Sequence, residues 1–112
     1  MLYLGSPTSQ LEIAAIFAGR RYQLGLSSRA ADDLSGCQEG WVAKVECGVK
    51  SIGPMSFQAI AGALGLRWVV HDGRLHLFAD DEALPAMTRR LRGSCRSRPV
   101  KSRVLLLLSS AA

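Results

Sequence analysis

The chain has 112 residues, 48% of them apolar and 21% charged, with a formal net charge of +5. This is the composition of a single soluble domain with a modest core, too short to divide into two. The charge permits a nucleic-acid partner but cannot establish one, since Arg20, Arg21, Arg29, Lys44 and Lys50 are balanced by Glu12, Asp32, Asp33, Glu39 and Glu46.

The excess of positive charge lies late, in Arg89, Arg90, Arg92, Arg96, Arg98, Lys101 and Arg103, with no acid after Glu82. Cys37, Cys47 and Cys95 form no CxxC pair and are odd in number, which argues against a disulfide framework or zinc site and for a reducing, cytoplasmic setting. Met1–Gly5 lacks the basic start of a signal peptide, and Val104–Leu108 is far too short to cross a bilayer, so no membrane association is expected.

In chain order, Met1–Thr8 reads as a loose arm. Ser9 with Glu12 three residues on makes a capping-box pattern, and Ile13, Ile16, Phe17 and Leu24 then recur at helical spacing until Gly25. Ser27 is a suitable N-cap for a second helix reaching about Ser35, with Ala30, Ala31 and Leu34 inward and Asp32–Asp33 on a solvated face. Gly36 supplies a turn. A third helix opens at Cys37 or Gln38, turns Trp41, Val42 and Val45 inward and stops at Gly48. Gly53–Pro54 predicts a loop over 49–55, after which Ser56 caps a fourth helix carrying Phe57, Ile60, Ala61 and Leu64, closed by Gly65.

Beyond Gly65 the period changes from helical to alternating. Two strands, Arg67–His71 and Arg74–Phe78, flank Asp72-Gly73, a two-residue type I′ hairpin signal. Pairing about that turn sets Trp68 opposite Leu77 and Val70 opposite Leu75 on one face, with Val69, His71, Arg74 and His76 on the other. A lone hairpin is marginal in water, so it must pack on the helices or pair with another copy. Asp80-Asp81-Glu82 predicts a short final helix through about Arg92, and the Ser/Arg-rich composition from Gly93 onward reads as disordered.

Arg20–Gly65 resembles the Cro/C1-type (XRE) helix-turn-helix family of phage and bacterial repressors. The resemblance rests on Arg20–Ser27 at the end of the first helix, Gly36 at the turn, Val42–Gly48 in the recognition helix, and Ala61–Leu66 in the fourth helix. It covers under half of the chain. It implies a mainly α fold, a four-to-five-helix lambda-repressor-like bundle followed by a C-terminal β-hairpin and a basic tail. The corresponding units are a DNA-binding domain over 9–66, a hairpin over 67–79, and a short helix with tail over 80–112.

The resemblance further implies a regulator of transcription, a repressor, that binds double-stranded DNA as a homodimer on an inverted repeat. By alignment, base-reading positions are Gln38, Glu39, Gly40 and Lys44; glutamine suits adenine, lysine suits guanine and glutamate suits cytosine. Glu39 departs from the pattern, because a carboxylate near phosphates needs a cytosine or an arginine. Gly40 departs too, lacking a side chain where one usually reads a base. Phosphate contacts fall to Ser28, Arg29, Trp41, Lys50 and Ser51. Arg21 and Glu46 occupy the positions of a structural ion pair. Some relatives, antitoxins among them, dimerise through strands placed like the hairpin here, which assigns Trp68, Val70, Leu75 and Leu77 to a dimer interface. The same resemblance keeps two rivals open: an antitoxin that also binds a toxin, and a protein-interaction module that has lost DNA binding.

Catalysis finds little footing. His71 and His76 share a hairpin face with no carboxylate nearer than Asp72, no glycine-rich phosphate loop follows a strand, and no serine sits in a nucleophile elbow. No catalytic residue, metal ligand set or cofactor is expected.

Overall fold

Five α-helices and a three-stranded antiparallel sheet are formed by residues 1–95, the part of the chain that the computed structural model describes. In chain order these are β1 (Leu2–Gly5), α1 (Gln10–Gln23), α2 (Ser28–Ser35), α3 (Trp41–Glu46), α4 (Pro54–Ala63), β2 (Leu66–His71), β3 (Arg74–Ala79), a 3-10 turn (Asp81–Ala83) and α5 (Ala86–Leu91).

The fold is mixed α/β, with 49% helix and 17% strand among the described residues, and this corrects the expectation of a lambda-repressor-like helical bundle with a hairpin appended at its C-terminal end. The sheet has the order β1-β3-β2, joining a strand from the start of the chain to the hairpin, and α5 follows it. What overturns the expectation is the N-terminal arm. Leu2 pairs with Ala79 and Tyr3 with Phe78, so Met1–Thr8 is no loose arm and β3 becomes a central strand. Four residues are too few for alternation to declare a strand, and the partner lies over seventy positions away.

The hairpin itself has the register that alternation predicts: Trp68 faces Leu77, Val70 faces Leu75, and His71 faces Arg74. Asp72 and Gly73 both have positive φ, 53° and 73°, as a type I′ turn demands. Leu66 and Ala79 join the helical residues Phe17, Leu24, Leu26, Val45, Ile60 and Leu64 in one core, so sheet and helices share a single interior.

Helix boundaries follow local chemistry. Ser9 accepts from the Glu12 N–H, and the Glu12 carboxylate accepts the Thr8 N–H at 2.6 Å; that backbone bond holds its carboxyl below the ordinary value. α4 begins two residues before the expected Ser56 cap. Gly53 is its N-cap and Pro54 its first residue, where a missing N–H costs nothing and a fixed φ helps. Gly53–Pro54 therefore starts a helix. The final helix splits because Pro85 cannot continue the turn begun by Asp81–Ala83.

Arg20, only 4% exposed, ties the layers together. Its guanidinium donates to the Leu64 carbonyl at 2.9 Å, to Gln23 at 3.2 Å and to Asp81 at 2.8 Å. The chain closes with Gly93 and Cys95 donating to the carbonyls of Leu24 and Gly25 at 2.9 and 2.8 Å. Disorder was expected from Gly93 onward; these bonds hold Gly93 and Cys95 against the end of α1, and the rest of that tail, from Arg96 on, lies outside the described residues.

Candidate nucleic-acid interface

The segment from Ser27 to Ser51 is a helix, a turn and a short helix, each boundary set by a backbone demand. Ser27 accepts the Ala30 N–H and starts α2. Gly36 ends it at φ 72°, with the Cys37 N–H returning to the Asp32 carbonyl at 2.9 Å. This is the αL stop that glycine accepts without steric cost. α3 ends the same way, the Gly48 and Val49 N–H groups closing on Val45 and Lys44.

The start of α3 is held from outside. Its N-cap is Gly40, which has no side chain to cap with. Asp32 on α2 does that work instead, accepting the Gly40 N–H on Oδ2 and the Val42 N–H on Oδ1, both at 2.8 Å. Asp32 is 2% exposed, so the expectation of a solvated Asp32–Asp33 face holds only for Asp33. A carboxylate supplying two charge-assisted bonds satisfies donors that the first turn of any helix leaves open.

The opposite end of α3 is fixed by Glu46. Its carboxylate receives Arg21 Nε at 2.7 Å and Nη2 at 2.8 Å, while Arg21 Nη1 donates to the Leu26 carbonyl at 2.7 Å. Both residues are 3% exposed. Fork-to-fork pairing of this kind fixes orientation as well as distance.

The residues assigned to base reading are not gathered on one helix. α3 starts at Trp41, so Gln38 and Glu39 belong to the turn before it, both exposed. Gly40 has φ 83°, so its missing side chain is a backbone requirement and no lost base contact. Lys44 alone of the four sits on α3, exposed between the buried Val42 and Val45. Glu39 has the cation it needs: its carboxylate lies 3.8 Å from Arg29, both side chains 77% exposed.

Among the residues assigned to phosphate, Ser28 opens α2 half-buried, Arg29 is exposed beside it, and Lys50 and Ser51 are exposed in the loop after α3. Trp41 does not belong with them. It packs against the core, and its Nε1 is enclosed with no hydrogen-bond partner.

The residues assigned to dimerisation divide likewise. Val70 is 70% exposed and Leu75 half-buried; Trp68 is 40% exposed and meets Phe57 edge-on at 5.2 Å. Leu77 is fully buried inside its own protomer and is unavailable to a partner. Alternation placed it on the inward face without indicating that this position is already enclosed by the chain's own residues.

Asp32, which forms the site, and Arg20, which ties the layers of the fold, are the residues whose roles sequence reading missed. An aspartate eight residues ahead of a glycine-opened helix is the signal that Asp32 offers; nothing local marks Arg20. Among the described residues no cluster of three or more His, Cys, Asp or Glu could hold a metal ion. No helix among them is long and apolar enough to cross a membrane. No protein-family model, characterised protein or solved structure matches this chain.

Proposed function

We propose that the chain is a DNA-binding regulator of transcription, a repressor, that engages an inverted-repeat duplex as a homodimer. The observation that carries this reading is the rigid presentation of α3. Asp32 holds its first turn, Arg21 and Glu46 hold its last, and Lys44 is left exposed with Gln38 and Glu39 before it and Lys50 and Ser51 after it. A short, fixed helix offering a lysine, with a glutamine in the turn before it, suits donor–acceptor reading of base edges in a major groove.

In this reading Lys44 and Gln38 read bases, while Ser28, Arg29, Lys50 and Ser51 meet phosphates, adding affinity without sequence information. Arg29 shields Glu39 from the phosphates. Two protomers would present their α3 helices about one duplex turn apart, on the order of 34 Å. The test is a footprint on the DNA upstream of its own gene, followed by Lys44→Ala. The substitution should cost on the order of 1–3 kcal/mol at particular base pairs, whereas Arg29→Ala should weaken binding evenly and lower the salt slope by about 1.

The exposed Val69 and Val70 favour a second reading, in which the sheet receives another protein, a toxin included. Failure to shift any duplex even at low salt would favour that reading over the first.

A further inference from the structure

We propose that the outer face of the sheet is a binding platform for single-stranded nucleic acid, on which Tyr3, His76 and Phe78 stack bases while Arg74 meets a phosphate. The site is distinct from the α2–α3 segment and does not depend on the duplex reading.

The placement follows from strand alternation. Leu77 and Ala79 are turned into the core at 0% and 5% exposure, which puts Arg74, His76 and Phe78 on the side away from the helices. Register then sets Tyr3 and Arg67 beside Phe78, and Val69 beside His76. The rings form a connected line across all three strands. Tyr3 lies 5.2 Å from Phe78 and 5.9 Å from His76, centroid to centroid, and His76 lies 6.5 Å from His71. Tyr3 is fixed by its hydroxyl, 3.0 Å from His76 Nδ1, yet remains 52% exposed, and Val69 is 47% exposed.

Charge selects the occupant. Arg67 is matched by Asp80, and His71 stands 3.3 Å from Asp72 at the hairpin tip. The Arg74 guanidinium makes no hydrogen bond or ion pair among the described residues, so it is the cation left over on this face. Rings with an unmatched arginine suit an anion that carries π-faces of its own. Stacking on aromatic side chains is tolerant of sequence, because every base has a π-face, and arginine adds a phosphate contact. RNA and single-stranded DNA share this chemistry.

The test titrates the full chain into end-labelled dT12 and, separately, rU12, reading anisotropy at several salt concentrations, with amide chemical shifts mapped at saturation. Binding is expected in at least one arm, and the tighter arm identifies the source. Shifts should cluster on Tyr3, Arg74, His76 and Phe78. Tyr3→Leu should weaken binding at least about fivefold, given roughly 1–3 kcal/mol per stacked base. Arg74→Gln should lower the salt slope by about 0.7. Should Tyr3→Leu fail to fold, Arg74→Gln and the shift map decide. No binding in either arm overturns the proposal. So does binding that ignores Tyr3→Leu, as expected if the basic residues beyond Cys95 carried it, or shifts of the same amides with protein concentration alone.

Discussion

Asp32 does for α3 what a serine or asparagine at the N-cap does for an ordinary helix, from another element and while 2% exposed. Its removal leaves two N–H groups without acceptors, the buried one of Val42 and the part-buried one of Gly40. Asp32→Ala should therefore lower unfolding free energy by about 2–3 kcal/mol, with Asp32→Asn between it and the parent because its amide keeps one acceptor oxygen. Urea unfolding measures this, and a cost under about 0.5 kcal/mol for Asp32→Ala would remove the capping role. Arg21→Ala should cost more, about 3–5 kcal/mol, because Glu46 would remain buried and unpaired. Replacing both partners with apolar residues of similar size should recover most of that loss. The pair was legible only through a family resemblance, since nothing in the spacing of Arg21 and Glu46 joins residues twenty-five apart. Asp32 was missed because its partners are backbone N–H groups, whose mark on the sequence is slight: an aspartate eight residues ahead of Gly40.

Local signals read the elements well wherever both halves of an element lie side by side. The hairpin is the clearest instance: one turn fixes its register, and Trp68–Leu77 and Val70–Leu75 follow. β1 failed for the complementary reason, as its hydrogen-bond partners come from the far end of the fold. The junction after β3 is the other long-range element, where Asp81 is gripped by the buried Arg20. That hydrogen bond from Arg20 outweighs partial burial, and with the charges of Arg20 and Arg92 it holds the Asp81 carboxyl below its ordinary 3.8. A depressed carboxyl stabilises the fold in full above its unfolded value and ceases to do so as pH falls through the lowered one. Parent stability should thus decline as pH drops below about 4, and Asp81→Asn should flatten that decline while costing stability at pH 7. Chemical unfolding of both proteins from pH 7 to pH 2 checks the difference. Parallel curves would exclude the clamp as a source of acid sensitivity.

For the whole molecule, the two edges of the sheet are not equivalent. β1 is short, carries a register break between Tyr3 and Gly5 and runs on to Pro7, all features that discourage pairing. β2 has six residues without proline, lysine or bulge, and Val69 and Val70 are exposed along it. Because a two-residue turn makes His71–Arg74 a hydrogen-bonded pair, the backbone groups pointing away from β3 belong to Leu66, Trp68 and Val70. A two-fold axis through Val69 would let Trp68 and Val70 exchange hydrogen bonds with their counterparts in a second copy. The core face of the sheet would stay on the core side, and two three-stranded sheets would become one of six strands. This pairing would supply the dimer that the proposed inverted-repeat operator requires, and Val70→Lys should prevent it, because lysine on an open edge blocks strand addition. With light scattering after size exclusion at tens of micromolar, the parent should show twice the monomer mass of 12.1 kDa and Val70→Lys the monomer mass. Val70 is 70% exposed, so the variant should keep its fold and its melting curve while losing most of its affinity for a two-half-site duplex and little for a single half-site. A monomeric parent, or a dimeric Val70→Lys, would exclude β2 as the interface.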